Sequence, residues 1–281
     1  MEIPDKTSDY LSPEYWNERF KTEERKEWLG EYKHFASLIH RELGSSEAAA
    51  ATTCLVVGNG NSLMGQSVAK DRNTVLSPES TIITDIAPVC VYKSREKEEE
   101  ETTANSWAIC DMLRLPFREN SVDLIIEKGA HDVLEVDAGK DPWNPNPETR
   151  VRVLRWLSEA HRVLTEDGML ISVSFQQPHF RKPLFDAAGY TWRVKHSPYT
   201  TETTNEEGEV QQQGFWEYFV YFAKKGQRDA SRAYQQSSSD RGSGADADDD
   251  EGEGRGGCKK LDLEHEYMDE EDYLFRIGGD D

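Results

Sequence analysis

The sequence has few cysteines and no long apolar run. Its four cysteines lie far apart and show neither a C-x-x-C pair nor the close spacing of zinc ligands; they are Cys54, Cys90, Cys110 and Cys258. No run approaches the roughly 18 apolar residues of a membrane helix. The first twenty residues carry charges throughout and lack the apolar core of a signal peptide. We therefore expect a cytoplasmic protein without a metal site or a membrane segment.

Positive charge is also scarce. The chain of 281 residues has 33 lysines and arginines against 54 acidic residues, for a net charge of -21. Residues 240–281 hold 16 acidic and 5 basic side chains, which is about half of that charge. This balance excludes a broad basic face for nucleic acid. Because residues 226–281 are acidic and of low complexity, we expect a disordered tail there.

Short apolar runs alternate with segments of helical spacing, which is the pattern of an α/β protein with a parallel sheet. Two further strand-like runs follow without a helix between them, and these indicate an antiparallel pair at the sheet edge. The sequence thus predicts a Rossmann-like, seven-stranded, mostly parallel sheet within a domain at 12–225, after a flexible leader at 1–11. The predicted strands are Cys54–Val57, Thr81–Thr84, Trp107–Cys110, Val122–Ile126, Met169–Phe175, Tyr190–His196 and Phe215–Ala223.

Four helices are predicted from capping residues and apolar spacing. Ser12 and Pro13 are typical of a helix N-terminus, and the spacing of aromatic residues from Trp28 predicts a second helix through about residue 43. A third helix is predicted from Thr149 to Leu164, with Asp167 and Gly168 ending it. A fourth is predicted at Pro178–Ala188.

The first strand ends in a turn with Gly58 and Gly60, and acids follow later strands as Asp85, Asp111 and Glu127. The carboxyl ends of parallel strands line one crevice, so these residues are candidates for a ligand site. A carboxylate after the second strand can accept both hydroxyls of a ribose, and one after the third can receive an adenine amine. The alternatives are an ordinary tight turn and acids that only cap helices.

Longer segments resemble a known family. The acidic residues at successive strand ends resemble those of class I S-adenosylmethionine-dependent methyltransferases. Several longer segments, spread over about residues 10–225, resemble the elongation factor 1-alpha lysine methyltransferases. The matching segments are EYWNERF, EWLGEY, LVVGNGNS, DLIIEKGAHDVL, DPW, EAHRVLTEDGMLISVSF and PHFR. The resemblance implies N-terminal helices that form a lid over the cofactor, and a protein lysine as the methyl acceptor.

By motif, the resemblance implies S-adenosylmethionine contacts from the lid, the strand ends and the first turn. Together with Gly60 of that turn, the candidate contacts are Trp16, Phe20, Trp28, Gly58, Asp85, Ile86, Asp111, Met112 and Lys128. The two tryptophans have a core-packing alternative, because they recur at helical spacing among other aromatic residues.

The chain departs from the family pattern at two places. Phe20 stands where the family has tyrosine, and the family text E-K-G-T-L-D reads here as EKGAHD at residues 127–132. Glu127 and Asp132 are candidates for orienting an incoming amine. His131 is either a general base, since the ordinary pKa of histidine is near neutrality, or a buried residue without a catalytic part.

The resemblance implies elongation factor 1-alpha as the protein substrate of a monomeric enzyme. Two alternatives remain open. In one, the acceptor is a small molecule or a different protein, as the changes at Ala130 and His131 allow. In the other, the chain is an inactive cofactor fold that recruits partners through its acidic tail.

Overall fold

The computed structural model describes most of the chain before residue 227. The described residues are 4, 6–43, 52–71, 73, 76, 78–101, 105–141, 143–187, 192–204, 210–212 and 217–226. The predicted tail at 226–281 lies outside them except for Gly226. Among the described residues, no helix combines the length and the apolar character needed to cross a membrane.

The main sheet has seven strands, as predicted. Its order is β3-β2-β1-β4-β5-β9-β6, with β1 to β5 parallel and β9 antiparallel to both of its neighbours. Strands β7 and β8 pair with each other in a separate two-stranded sheet. The strands are β1 (Cys54–Val57), β2 (Thr81–Asp85), β3 (Ser106–Ile109), β4 (Val122–Lys128), β5 (Leu164–Ser174), β6 (Trp192–Tyr199), β7 (Glu202–Thr204), β8 (Val210–Gln212) and β9 (Tyr218–Lys225).

Helices cover both faces of this sheet. Side chains of β1 alternate between the faces: Val56 packs with α2 and α3, whereas Leu55 packs with α6. Burial on both faces explains why the parallel strands read as continuous apolar runs. The helices are α1 (Pro13–Thr22), α2 (Ala36–Leu43), α3 (Met64–Lys70), α4 (Pro88–Glu101), α5 (Ala130–Val133), α6 (Pro147–Val163) and α7 (Pro178–Ala187).

The strand order reverses between β1 and β4. From β1 the chain moves outward through β2 and β3, and it then returns to place β4 on the other side of β1. Connections leave the sheet in opposite directions at this point, so a crevice opens beyond the carboxyl ends of the two strands. The candidate site residues at the ends of β1, β2 and β4 therefore lie at one edge of the sheet.

Two features at the N-terminus differ from the sequence predictions. Thr7–Leu11, within the expected flexible leader, forms a 3-10 helix in which Tyr10 is buried. The helix predicted from Trp28 is interrupted, because Leu29 and Gly30 have φ values of 59° and 84°. These left-handed conformations end any helical repeat. Helical structure begins again only with a 3-10 turn at Tyr32–His34, followed by α2.

The predictions around β5 also need correction. Helix α6 ends at Val163, and β5 begins at Leu164 instead of after Gly168. Leu164 pairs with Val122 of β4, and the Thr165 hydroxyl donates to Asp123 Oδ1 at 3.0 Å, so contacts distant in sequence extend the strand. The segment expected to be a polar loop after β6 contains β7 and β8.

Candidate active site

The turn after β1 is held in a conformation that favours glycine. Gly58 and Gly60 have φ values of 62° and 54°, which side chains other than glycine rarely adopt. Between them, the buried Asn59 donates from Nδ2 to the carbonyl of Ser62 at 2.8 Å and accepts from the Gly65 N–H at 3.0 Å. This network fixes the turn and joins it to the first turn of α3.

Asp85 is the last residue of β2, and its carboxylate faces the turn after β1. Asp85 Oδ2 accepts from the Gly60 N–H at 2.7 Å, and Oδ1 accepts from the Ala87 N–H at 2.8 Å. Burial raises the pKa of Asp85, and these hydrogen bonds oppose the rise. The Cys90 thiol and the Ile86 N–H also interact with this carboxylate.

The next strand end lies further along the same edge. Asp111 follows β3, is exposed, and caps the 3-10 helix Met112–Arg114 by accepting from the Leu113 N–H at 2.8 Å. Both interpretations of Asp111 are thus compatible with its place, since its second oxygen is not used by the cap. Ile86 directly follows Asp85 and is half-buried, whereas Met112 packs against the apolar core on the α6 side.

An aromatic group from the N-terminal segment covers the turn. The rings of Trp16 and Phe20 on α1 stack at 5.6 Å, and Trp28 lies edge-on to Trp16 at 6.5 Å. A Cβ added to Gly60 would lie 3.1 Å from the Phe20 ring, which places Phe20 directly over the turn. The predicted lid residues are therefore brought together next to the crevice.

Arg19 belongs to the same group and was missed by the sequence analysis. Its guanidinium lies 5.4 Å from the centre of the Trp16 ring and 5.0 Å from that of Trp28, distances typical of cation–π contacts. It also pairs with Glu23 at 3.1 Å. The signal was available in EYWNERF, where Arg19 lies three residues after Trp16 and so on the same helix face.

Glu27 joins this lid to the sheet and was also missed. Its Oε1 accepts from the Leu63 N–H at 2.9 Å, while its Oε2 accepts from the Ser62 hydroxyl at 2.6 Å and pairs with Lys128 Nζ at 2.8 Å. Lys128 Nζ also donates to the Gly30 carbonyl at 2.8 Å. Lys128 is thus engaged with the lid segment, and burial lowers its pKa while Glu27 opposes that change.

The turn after β1 approaches the short helix α5 closely. A Cβ on Gly58 would lie only 2.5 Å from the Cβ of Ala130, so no larger side chain fits there without movement. Gly129, at the N-terminus of α5, has a φ of 74°. Gly58 is consequently required by packing as well as by its backbone conformation, whatever ligand the crevice holds.

Beyond α5 lies a buried polar cluster, which we define as Glu127, His131, Asp132, Glu135 and Arg181. Arg181 is fully buried. It pairs with Asp132, and its Nη1 lies 2.8 Å from Glu135 Oε1. Asp132 Oδ1 also accepts from the Ser174 hydroxyl at 2.6 Å. The predicted acceptor residues Glu127 and Asp132 thus lie in one cluster, where Asp132 is engaged by Arg181.

Burial shifts the pKa values of this cluster. Burial and the charge of Asp132 raise the pKa of Glu127, the charge of Arg181 opposes the rise, and the result is a pKa of about 7. Burial and the charge of Arg181 lower the pKa of His131 well below its usual range, so this histidine is neutral. A buried carboxyl that titrates near neutrality is typical of catalytic sites and also occurs in structural networks.

Comparisons with known proteins place the chain in a family. Residues 55–172 match the model of a methyltransferase domain. A protein from Bos taurus named EEF1A lysine methyltransferase 4 is 30% identical over 201 residues, covering 70% of this chain and 74% of that protein. The chain belongs to the EEF1A lysine methyltransferase family. It is therefore an S-adenosylmethionine-dependent methyltransferase.

A second relative agrees with this membership, and a solved structure supports the fold. The Mus musculus protein of the same name is 29% identical over 203 residues, with 71% of this chain and 75% of that protein covered. A solved structure described under the conversion of a disulfide bond into a thioacetal group during echinomycin biosynthesis aligns with a TM-score of 0.52 at 14% identity. That alignment covers 82% of this chain and all of the other, and it supports the fold alone.

The crevice suits S-adenosylmethionine. Asp85 places a carboxylate, the acceptor type that suits ribose hydroxyls, at the end of β2 beside the turn after β1. Gly60 keeps the backbone of the turn free of a side chain beneath Phe20. For this methyltransferase family member, the chemistry of the residues present and the shape of the turn are both compatible with an adenosine-containing cofactor.

Proposed function

We propose that this methyltransferase transfers a methyl group to a lysine side chain of translation elongation factor 1-alpha. The observation that carries the proposal is the match to relatives named EEF1A lysine methyltransferase 4 along about 70% of the chain.

In this proposal the lid, the first turn and the strand ends hold the cofactor. Asp85 accepts the ribose hydroxyls, Asp111 faces the adenine amine, and the aromatic lid excludes water. The proposed cofactor contacts are Trp16, Phe20, Trp28, Gly58, Gly60, Asp85, Ile86, Asp111, Met112 and Lys128. When bound, S-adenosylmethionine supplies an electrophilic methyl group on a sulfonium.

The chain's own residues then have two tasks at the acceptor. A lysine ammonium has no lone pair, so it must lose a proton before its nitrogen can form a bond. Burial of the amine favours the neutral form, and a fixed orientation lowers the entropic cost of reaction. We assign both tasks to the region of Glu127 and Asp132, at the end of β4 and in α5 next to the crevice.

The charge of the chain supports a basic protein substrate. A net charge of -21 accelerates the encounter with a positively charged partner and disfavours nucleic acid and anionic membranes. We extend the proposal to a cytoplasmic monomer with a disordered acidic tail. The monomer is tested by sedimentation at micromolar concentration, and the tail by backbone NMR of the full chain.

The test of the substrate is a transfer assay with labelled S-adenosylmethionine. The full chain is incubated with purified elongation factor 1-alpha and, separately, with a metabolite extract. We expect label on one lysine of the elongation factor, located by mass spectrometry, and a slower transfer at limiting cofactor when Asp85→Asn replaces the wild type. Label that appears only in the extract would overturn the proposed substrate.

One observation favours a second candidate for the methyl acceptor. Ala130 and His131, which follow Glu127-Lys128-Gly129, differ from the family pattern beside the proposed acceptor region. His131 is fully buried and neutral there. A smaller side chain at Ala130 and a ring at His131 change the shape of that region, so a small molecule or a different protein is the alternative acceptor.

A further inference from the structure

The buried polar cluster contains more negative than positive groups. One guanidinium, that of Arg181, faces three carboxyls: Asp132, Glu135 and Glu127. All four side chains are nearly or fully removed from solvent. Burying a charge without a partner is costly, so three carboxylates cannot all be ionised against one cation without a large penalty. At least one of the three must differ from the others in its protonation.

The contacts of Arg181 decide which carboxyl differs. Arg181 Nη1 pairs with Glu135 at 2.8 Å, and Nη2 binds both Asp132 and the Ser174 hydroxyl, the latter at 2.8 Å. Gln176 Nε2 further donates to Glu135 Oε2 at 2.9 Å. Burial raises the pKa values of Asp132 and Glu135 as well, but each has direct donors that stabilise its negative charge and oppose the rise.

Glu127 has no such direct cation. Its Oε2 accepts from the backbone N–H of His131 at 3.0 Å, and its Oε1 has no hydrogen-bond partner among the described residues. The His131 ring is fully buried, and neither ring nitrogen forms a hydrogen bond within the described part of the chain. Glu127 Oε1 and the His131 ring thus lie side by side at the end of β4, next to the crevice. Their nearest polar neighbours are the Ser172 hydroxyl, which lies beside Glu127, and Glu135 Oε1, which lies 3.5 Å from His131 Nε2.

The geometry points to different roles for the residues of this cluster. Arg181 acts as a positioning residue that holds Asp132 and Glu135 charged, and Glu127 Oε1 is the group that receives the proton of the acceptor amine. This inference rests on the proposed function for the identity of the acceptor. It adds a base, which neither the family match nor the strand-end pattern assigns, and a reason for the burial of Arg181.

The proton transfer involves only the acceptor ammonium and Glu127. One N–H bond of the acceptor ammonium breaks, and its electron pair stays on the nitrogen as a lone pair. The proton moves to Glu127 Oε1, which changes from carboxylate to carboxylic acid. A base that titrates close to the working pH is the most effective, because it is both available and able to hold the proton.

The groups that act on Glu127 come from three elements: His131 and Asp132 from α5, Arg181 from α7, and the Ser172 hydroxyl from β5. Glu135 and the tyrosines of the antiparallel strands act on Asp132 instead. Burial raises the pKa values of Tyr199 on β6 and Tyr221 on β9 above their usual range, so both remain neutral at physiological pH. The two charges with the largest effect on the pKa of Glu127 are therefore those of Asp132 and Arg181.

The test is a direct titration of the Glu127 carboxyl in the full chain, without substrate. Infrared difference spectra between the wild type and Glu127→Gln identify its carboxyl band, which is then followed with pH. We expect a midpoint near neutrality. Arg181→Met should raise it by about one unit or more and Asp132→Asn should lower it, since a neighbouring charge shifts a pKa by about 1–3 units.

Two controls keep the outcome decisive. Arg181→Lys retains the cation and should keep the midpoint near that of the wild type. If Arg181→Met does not fold, Asp132→Asn, which preserves size, decides alone. In the transfer assay, the midpoint of kcat/KM against pH should move with the carboxyl band.

The inference would be overturned if neither Arg181→Met nor Asp132→Asn changed the titration midpoint of Glu127. It would also be overturned if Glu127 were already ionised at pH 5 in the wild type. An elongation factor that stays unmethylated would instead overturn the proposed substrate. The titration needs no acceptor, so the two failures are distinguishable.

Discussion

The Lys128 ammonium lies 2.8 Å from Glu27 Oε2 and joins the end of β4 to the segment that follows α1. The same carboxylate binds the N-terminus of α3 through the Leu63 N–H and the Ser62 hydroxyl. One ion pair therefore connects the lid, the first turn and the sheet. Its side chains are 3% and 13% exposed, which is buried enough for the loss of one partner to matter.

We predict that Lys128→Met lowers the free energy of unfolding by about 3 kcal/mol, because it leaves the Glu27 carboxylate buried without its cation. Glu27→Gln should also destabilise the protein. The double variant should lose clearly less than the sum of the two, as expected for residues in contact. Denaturant unfolding of all four proteins measures the difference, and additive losses would show that the pair is not coupled.

In the turn after β1, we predict that Ala130→Gly restores part of the stability that Gly58→Ala removes. Gly58→Ala places a side chain at a left-handed φ, which costs about 1–2 kcal/mol, and adds a collision with the Ala130 Cβ. In the wild type, Ala130→Gly should destabilise slightly, since glycine weakens a helix by about 0.5–1 kcal/mol. In the Gly58→Ala background the same change should stabilise. Thermal unfolding detects this change of sign, and its absence would refute the close contact.

The neighbouring glycine should behave differently. A Cβ on Gly60 meets the edge of the Phe20 ring at 3.1 Å, and a ring can move by a few tenths of an ångström more easily than the backbone of α5. Gly60→Ala should therefore cost little beyond its backbone strain of about 1–2 kcal/mol. A loss of stability equal to that of Gly58→Ala would contradict this ranking.

Glu127 makes stability depend on pH. Its pKa is raised from its ordinary value of 4.5 to about 7 in the folded protein, so the folded state retains a proton that the unfolded state has lost between those values. Stability contributed by the protonated form is complete below about pH 4.5 and is lost as the pH rises through about 7. Because one unit corresponds to about 1.4 kcal/mol, the total is about 3 kcal/mol.

The measurement is the difference in unfolding free energy between wild type and Glu127→Gln. The neutral variant should gain about 3 kcal/mol relative to the wild type between pH 4.5 and pH 8. A comparison with the exposed Glu18→Gln controls for general effects of charge. A difference that does not change with pH would show that Glu127 is ionised in the folded protein across this range.

Local patterns were sufficient to predict the seven strands of the main sheet but not all of their bounds. Cys54–Val57 was predicted with the bounds that the structure has, because four apolar residues before a glycine turn belong to a strand buried on both faces. Ser12 and Pro13 likewise predicted the start of α1, where the Ser12 hydroxyl accepts from the Tyr15 N–H. The first residues of β5 could not be predicted, since their pairing with β4 depends on residues more than 40 positions away.

Only part of the candidate site could be predicted from the sequence. The strand-end acid Asp85 and the glycine turn are visible in a linear text, and the structure joins them through the Gly60 N–H. The partners of Arg181 are not visible, because Asp132 and Glu135 precede it by more than 40 residues and meet it only through tertiary packing. The roles of the site residues in cofactor binding stay predictions.

The cofactor crevice is tested most directly by calorimetric titration of the full chain with S-adenosylmethionine, with wild type, Asp85→Asn and Asp167→Asn compared. Hydrogen bonds to a charged group contribute about 1.5–3 kcal/mol, so Asp85→Asn should weaken binding by about tenfold or more. Asp167, whose side chain is 94% exposed, provides the matched control and should leave the affinity unchanged. A folded wild type that does not bind, or an Asp85→Asn variant that binds as tightly as the wild type, would contradict the assignment.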